Sequence, residues 1–67
     1  MSASSDSAEL SSLGSALAEL AERVVALAER YGKTPDSVIS SDLFEAERYL
    51  ASARRALTRA VASLGSD

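Results

Sequence analysis

The sequence contains no cysteine, no histidine and no tryptophan, and it has only one proline. The absence of cysteine excludes a disulfide framework. The joint absence of cysteine and histidine removes the usual ligands of zinc and haem, together with the commonest general base and the most reactive nucleophile. Carboxylates such as Glu19 and Glu22 remain, and we expect them on solvated helix faces. The composition therefore predicts a protein that is not an enzyme and that holds neither a metal nor another cofactor.

Basic residues are also scarce, with 7 lysines and arginines against 10 acidic residues and a net charge of −3. A general nucleic-acid binder carries an excess of positive charge, so this class is disfavoured. No apolar run approaches the roughly 20 residues that span a bilayer, and the polar first residues lack the features of a signal peptide. We therefore expect a cytoplasmic protein without a membrane segment. The excess of arginine over lysine is typical of a GC-rich bacterial genome, which predicts a bacterial source.

The first half of the chain carries apolar residues at alternating gaps of three and four. They are Leu10, Leu13, Leu17, Leu20, Val24, Leu27 and Tyr31. This spacing predicts the core seam of a coiled-coil-like helix. Asp6, followed by Glu9, forms the pattern of a capping box, and Gly32 can end the helix in a left-handed conformation. The sequence thus predicts a disordered tail over residues 1–5 and a first helix over about 7–31.

The second half carries two seven-residue repeats. They are Leu43, Leu50, Leu57 and Leu64, and Ala46, Ala53 and Ala60. Because residues at this spacing share one side of a helix, they predict a second helix over about 42–64. Asp42, with Glu45 three residues later, repeats the capping pattern of the first helix, and Gly65 ends the second helix as Gly32 ends the first.

The connection between the two helices covers residues 32–41. Its Thr34 and Pro35 form the pattern of a helix start. Residues 35–39 therefore form either one helical turn or an extended corner, or the second helix begins at Pro35. In each case the connection is short, so the two helices are antiparallel neighbours. The predicted domain is an all-α helical hairpin over residues 6–65.

Both helices carry more apolar surface than one neighbouring helix can cover. Smaller residues lie beside the leucine seam of the first helix and would let another helix approach closely. They are Gly14, Ala18, Ala21, Val25 and Ala28. A lone hairpin of this length also buries too little surface to fold readily, and neither a disulfide nor a metal can compensate. We therefore expect a coiled-coil-like hairpin that forms a homodimeric four-helix bundle.

The predicted dimer interface is the part of the second helix that its own hairpin leaves uncovered. It comprises Leu43, Phe44, Glu47, Leu50, Ala51, Arg54, Leu57, Thr58 and Val61. In an antiparallel contact, Glu47 of one chain pairs with Arg54 of the other. Alternatively, both side chains extend to solvent on their aliphatic stems. Phe44 is expected in the core or in this interface, with an exposed anchor for a partner as the alternative.

A basic stripe lies on the predicted outer face of the second helix. It comprises Arg48, Ser52, Arg55 and Arg59. Arginines late in a helix complement its dipole, so a solvated face is one interpretation, and a docking site for a protein with an acidic surface is the other. The sequence thus predicts a small non-enzymatic module for dimerisation and protein–protein interaction, a bacterial adaptor or regulator. The alternative is a nucleic-acid-associated regulator that uses the arginine stripe.

Overall fold

Two long helices account for most of the structure. The computed structural model describes residues 3–65. Helix α1 spans Ala3–Tyr31 and helix α2 spans Ser37–Leu64, and the two pack against each other as a hairpin. The chain measures 52 × 15 × 12 Å, so it is two helices wide and one helix thick. The predicted all-α helical hairpin is confirmed in this respect.

Helix α1 begins earlier than the capping pattern predicts. Residues 3–5, expected in a disordered tail, belong to its first turn, and residues 1 and 2 lie outside the described residues. Asp6 is therefore an acidic side chain inside the first turn, where it stabilises the positive end of the helix dipole. No glycine or proline precedes Asp6, so each added residue extends the helix by one hydrogen bond.

Helix α2 begins at Ser37, which corrects the predicted start at Asp42. The alternative start at Pro35 was nearer to the structure, and the later part of the predicted connection is helical. The physical reason lies in Ser40, which is buried at 6% exposure. A Cβ atom on Gly32 would lie 3.4 Å from Ser40 Oγ, so the first turn of α2 packs closely against the end of α1.

The turn between the helices is held by Thr34. Its hydroxyl donates to the carbonyl of Tyr31 at 2.7 Å and accepts from the backbone N–H of Asp36 at 3.1 Å. The N–H of Ile39 donates to the carbonyl of Asp36 at 2.9 Å. Asp36 occupies the N-cap position of α2, but its own side chain makes no capping hydrogen bond. A single hydroxyl therefore connects the end of α1 to the start of α2.

Gly32 and Gly65 follow the two helices as predicted, but neither adopts the expected left-handed conformation. Among residues 3–65 no glycine has a positive φ. Gly65 has φ −83° and ψ −4°, and its N–H donates to the carbonyl of Val61 at 3.1 Å. The N–H of Gly32 donates to the carbonyl of Ala28 at 3.0 Å. Each glycine thus continues the helical hydrogen bonding by one residue.

Candidate functional site

The face that α1 turns towards α2 differs from the predicted leucine seam. Three residues of that seam are half-buried: Leu10, Leu17 and Val24. The others are 48%, 44%, 41% and 38% exposed, respectively, at Leu13, Leu20, Leu27 and Tyr31. The single hairpin therefore covers only part of the predicted seam. Three of the seven residues are half-buried, and the other four lie at the surface.

Small residues complete the contact face of α1. Gly14 is half-buried, and Ala21 and Ala28 are buried at 7% and 0% exposure. These three positions recur every seven residues, so they form one line along the helix. Since α2 is the only other helix within the described residues, it is α2 of the same chain that covers Ala21 and Ala28. The space beside Gly14, by contrast, stays open.

The antiparallel register follows from the residues that share a surface groove. Leu10 and Gly14 line it from α1, and Leu57 and Val61 line it from α2. Extended along the helices in heptad steps, this register sets each small residue of α1 level with a leucine of α2. The pairs are Gly14 with Leu57, Ala21 with Leu50, and Ala28 with Leu43. The seam is therefore built from small residues against large ones.

Two grooves open on one side of the hairpin, which we name the groove face. Their lining includes the residues that directly follow the half-buried leucines and valine of the seam: Ser11, Ala18, Val25, Ala51 and Thr58. Such residues lie on the same side of both helices, because reversing one helix of an antiparallel pair also mirrors its helical wheel. Leu10, Leu57 and Val61 also line the grooves but are half-buried, and charged residues such as Arg55 and Glu22 lie beside them. Apolar and polar groups are therefore mixed on the groove face.

We name the opposite side of the hairpin the leucine face. Its residues directly precede Gly14, Ala21 and Ala28 in α1, and Glu47, Arg54 and Val61 in α2. It comprises Leu13, Leu20 and Leu27 of α1 and Ala46, Ala53 and Ala60 of α2. Ile39, 42% exposed, extends this face towards the turn. The three leucines and Ala53 are exposed, whereas Ala46 and Ala60 are half-buried. Exposed apolar side chains that lie side by side mark an interaction surface.

Sequence reasoning missed the leucine face because it placed these leucines between the two helices of one chain. A signal was nevertheless present. The leucines recur every seven residues, each one place before Gly14, Ala21 or Ala28. A line of small residues beside a line of leucines gives the helix two possible contact faces. In the hairpin, the line of small residues is the one that faces α2.

The residues predicted for the dimer interface do not form one free surface. Four of them are half-buried along the hairpin seam: Leu43, Leu50, Leu57 and Val61. Ala51 is half-buried and Thr58 exposed on the groove face, and Phe44 is 37% exposed. Contact between two copies through these residues stays a prediction.

Glu47 and Arg54 lie along the hairpin seam. Both line one groove beside Ala21, and Glu47 is half-buried whereas Arg54 is exposed. The register sets them level with Val24 and Leu17, so their aliphatic stems can cover apolar side chains while their charges reach solvent. This placement favours extension to solvent, and the pairing between chains stays a prediction.

The arginine stripe is exposed along its whole length. It comprises Arg48, Ser52, Arg55 and Arg59. By their heptad positions these residues lie on the side of α2 away from α1. Arg55 also reaches the rim of the groove that Leu10 and Ser11 line from α1. Glutamates occupy the corresponding side of α1, and they are also exposed: Glu19, Glu22 and Glu29. The hairpin therefore presents a basic edge along α2 and an acidic edge along α1.

The remaining polar groups offer little chemistry. The hydroxyl of Tyr49 donates to Oε1 of Glu45 at 2.8 Å, one helical turn away, and Tyr49 is 67% exposed. Within residues 3–65 no three acidic side chains come together in a group that could hold a metal ion. In the same stretch, neither helix has the length and apolarity that crossing a bilayer requires.

No protein-family model matches the chain, and no curated protein or solved structure shows a significant similarity to it. Its function is therefore argued from the surfaces described above: the leucine face, the groove face and the arginine stripe.

Proposed function

We propose that the chain is a non-enzymatic interaction module that dimerises into a four-helix bundle and binds another protein through its arginine stripe. The observation that carries this proposal is how little the single hairpin buries. Among residues 3–65 the buried apolar residues are Ala21 and Ala28, whereas nine large apolar residues are exposed. Ordering a residue costs about 1.5 kcal/mol, so two alanine methyl groups and a half-buried seam leave the hairpin in need of further burial.

The exposed area supports the same proposal. The chain exposes 4952 Å². A compact monomer of this mass exposes about 4,000 Å². The excess of roughly 900 Å² is close to the ~800 Å² that each partner buries in a protein–protein interface of standard size. Association of two copies would therefore remove about as much surface as the hairpin exposes in excess.

Analytical ultracentrifugation over a wide dilution series tests the dimer. We expect the mass of a dimer, and we expect helicity to decrease on dilution, because folding and association are coupled. The helical circular dichroism signal is measured on the same samples. A fully helical monomer at micromolar concentration would overturn the proposal.

The arginine stripe supports the second part of the proposal. Its three guanidinium groups lie on one exposed edge of a chain whose net charge is −3. Guanidinium groups bind carboxylates through two parallel hydrogen bonds, so an acidic protein surface suits this edge. No aromatic residue lies within the stripe, which disfavours stacking on nucleic-acid bases.

Three simultaneous substitutions test the stripe. Arg48, Arg55 and Arg59 are replaced by glutamate in one variant and by lysine in a matched control that keeps the charge. Proteins that co-purify with the tagged chain from its host are identified and titrated with both variants. We expect the glutamate variant to lose binding and the lysine variant to retain part of it. Binding that both variants leave unchanged would refute the docking role.

Gel-shift measurements at low salt distinguish the proposed protein-binding role from the alternative, a nucleic-acid-associated regulator. The probes are short single-stranded and double-stranded oligonucleotides without a fixed sequence. We expect no shift. A shift that the glutamate variant abolishes would instead support a nucleic-acid-associated regulator, because phosphate contacts are strongest at low ionic strength.

A further inference from the structure

We infer, on the basis of the dimer proposed above, that the second copy docks on the leucine face. In this arrangement the leucines of one chain seat against the alanines of the other. The contact thus lies on the side of the hairpin opposite to Ala51 and Thr58, which the sequence had assigned to the interface.

The leucine face exposes three large apolar side chains in a row. Leu13, Leu20 and Leu27 each keep more than two-fifths of their surface exposed. By contrast, the apolar residues that line the groove of the groove face, Leu10, Leu57 and Val61, are half-buried along the seam, and Ser11, Thr58 and the charged Arg55 lie among them. Because the free energy of association comes mainly from apolar area removed from water, the leucine face gains more from a partner than the groove face does.

The shape of the leucine face selects how the second copy lies on it. One edge is a ridge of leucines on α1, and the other is a low row of alanines on α2. A two-fold axis parallel to the helices places each ridge over the partner's low row, which fills space evenly. A two-fold axis across the helices would set leucine on leucine and alanine on alanine, and the alanine rows would then leave a gap.

The register of the hairpin determines which residues of the two chains meet in the proposed dimer. With the two-fold axis along the helices, α1 of one chain lies antiparallel to α2 of the other, at the heights that the hairpin itself defines. Leucine and alanine positions then meet in pairs within about one helical turn. The pairs are Leu13 with Ala60, Leu20 with Ala53, and Leu27 with Ala46 of the partner subunit.

The charges that flank the leucine face match in this arrangement. Arg30 lies three residues after Leu27 on α1, and Asp42 lies four residues before Ala46 on α2, so both border the face. The register brings Arg30 of one chain level with Asp42 of the partner subunit, and symmetry repeats the pair. Both side chains are exposed in the hairpin and free to turn towards a partner.

Arg23 and Tyr49 border the face in the same way, one heptad further from the turn. Tyr49 is 67% exposed, a large fraction for an aromatic residue. In the dimer the guanidinium of Arg23 comes level with the ring of Tyr49 of the partner subunit, where a cation–π contact can form. The arginine stripe lies away from this contact and stays open for another protein.

Disulfide crosslinking tests the arrangement, and the absence of native cysteine makes the test clean. One chain carries Leu20→Cys and a second, differently tagged chain carries Ala53→Cys. The two are mixed, equilibrated and oxidised. We expect the mixed disulfide to form much more than either homodisulfide. Because each chain has a single thiol, a crosslink within one hairpin cannot contribute.

The other crosslinking outcomes are equally informative. A predominant Leu20→Cys homodisulfide would show the axis that sets leucine on leucine, and it would overturn the inference. A control mixture of Ala18→Cys and Ala51→Cys chains probes the groove face, and efficient crosslinking there would also overturn it. In both cases the dimer itself would stand. A chain that sediments as a monomer would instead refute the dimer together with its interface.

A matched pair of lysine substitutions gives a second readout. Leu20→Lys places an ammonium group in the leucine face, and Thr58→Lys places the same charge on the groove face. We expect the first to weaken the dimer by about 100-fold or more, since an unpaired charge in an apolar contact is strongly unfavourable, and the second to change affinity little. Equal effects of the two substitutions would contradict the inference.

Discussion

Replacing Gly14 by alanine should stabilise the protein, although Gly14 lies in the contact face between the two helices. A Cβ atom built on Gly14 meets nothing within 4 Å outside its own stretch of helix. The residue is helical and its φ is not positive, so alanine fits its backbone without strain. Ala21 and Ala28 occupy the equivalent heptad positions and carry a methyl group there. Glycine within a helix is about 0.8–1 kcal/mol less favourable than alanine. We therefore expect a gain of about that size per chain.

Thermal and urea unfolding followed by circular dichroism measure this gain. For a domain of this size, 1 kcal/mol raises the melting temperature by about 4–8 °C. Both variants are compared at the same chain concentration, since dimerisation makes the melting temperature depend on it. Ser15→Ala serves as the control, because Ser15 is the exposed neighbour and reports helix propensity alone. We expect roughly half the gain there, about 0.5 kcal/mol.

The opposite result would refute this reasoning. Gly14 lines a groove on the groove face, so a partner helix lying in that groove would contact a new methyl group. A destabilised Gly14→Ala variant, combined with a stabilised Ser15→Ala variant, would show that the space beside Gly14 is occupied in the native assembly. The groove face would then be the dimer interface, in place of the leucine face.

Two further substitutions test the packing of the seam and the turn. Ala28→Leu should destabilise the hairpin by about 1–3 kcal/mol in urea unfolding, because Ala28 is completely buried. Helix α2 cannot move away to make room without losing its contacts along the seam. Ala62→Leu, on an exposed face, is the control and should cost little in the same experiment. Thr34→Ala should cost about 1 kcal/mol, because it removes the two hydrogen bonds that the Thr34 hydroxyl makes in the turn. Thr34→Ser keeps the hydroxyl and should keep most of the stability. Equal stability of the two variants would show that these two bonds contribute nothing.

The two helices themselves could be predicted from the sequence, but their first residues could not. Leucine and alanine repeats at helical spacing leave no plausible alternative to helix, and Gly32 and Gly65 mark both helix ends to within a residue. Asp6 and Asp42 misled because a capping residue permits a helix to begin without forcing it to do so. Where no glycine or proline intervenes, neighbouring residues join the helix, and in α2 the burial of Ser40 against the end of α1 extends it further back.

The arginine stripe could also be placed from the sequence. The i, i+4, i+7 spacing of Arg48, Ser52 and Arg55 assigns them to one helix face whatever the helix packs against, and the structure leaves them exposed. The interface residues could not be placed in this way. Their positions depend on which of several apolar lines of a helix meets its neighbour, and Leu50 and Leu57 have turned out to lie along the hairpin seam.

By itself, the sequence determined that this protein is a pair of amphipathic helices joined by a short turn, without the residues for thiol or imidazole chemistry. Only the tertiary structure decided which side of α1 meets α2. Two seams are possible on α1. Leu10 and Leu17 can combine with Leu13 and Leu20, which hydrophobic periodicity alone favours, or with Gly14 and the alanines one and two heptads later. The hairpin uses the second, because small side chains let α2 pack directly on the α1 backbone, and Ala21 and Ala28 become buried there. That choice leaves the leucine face uncovered.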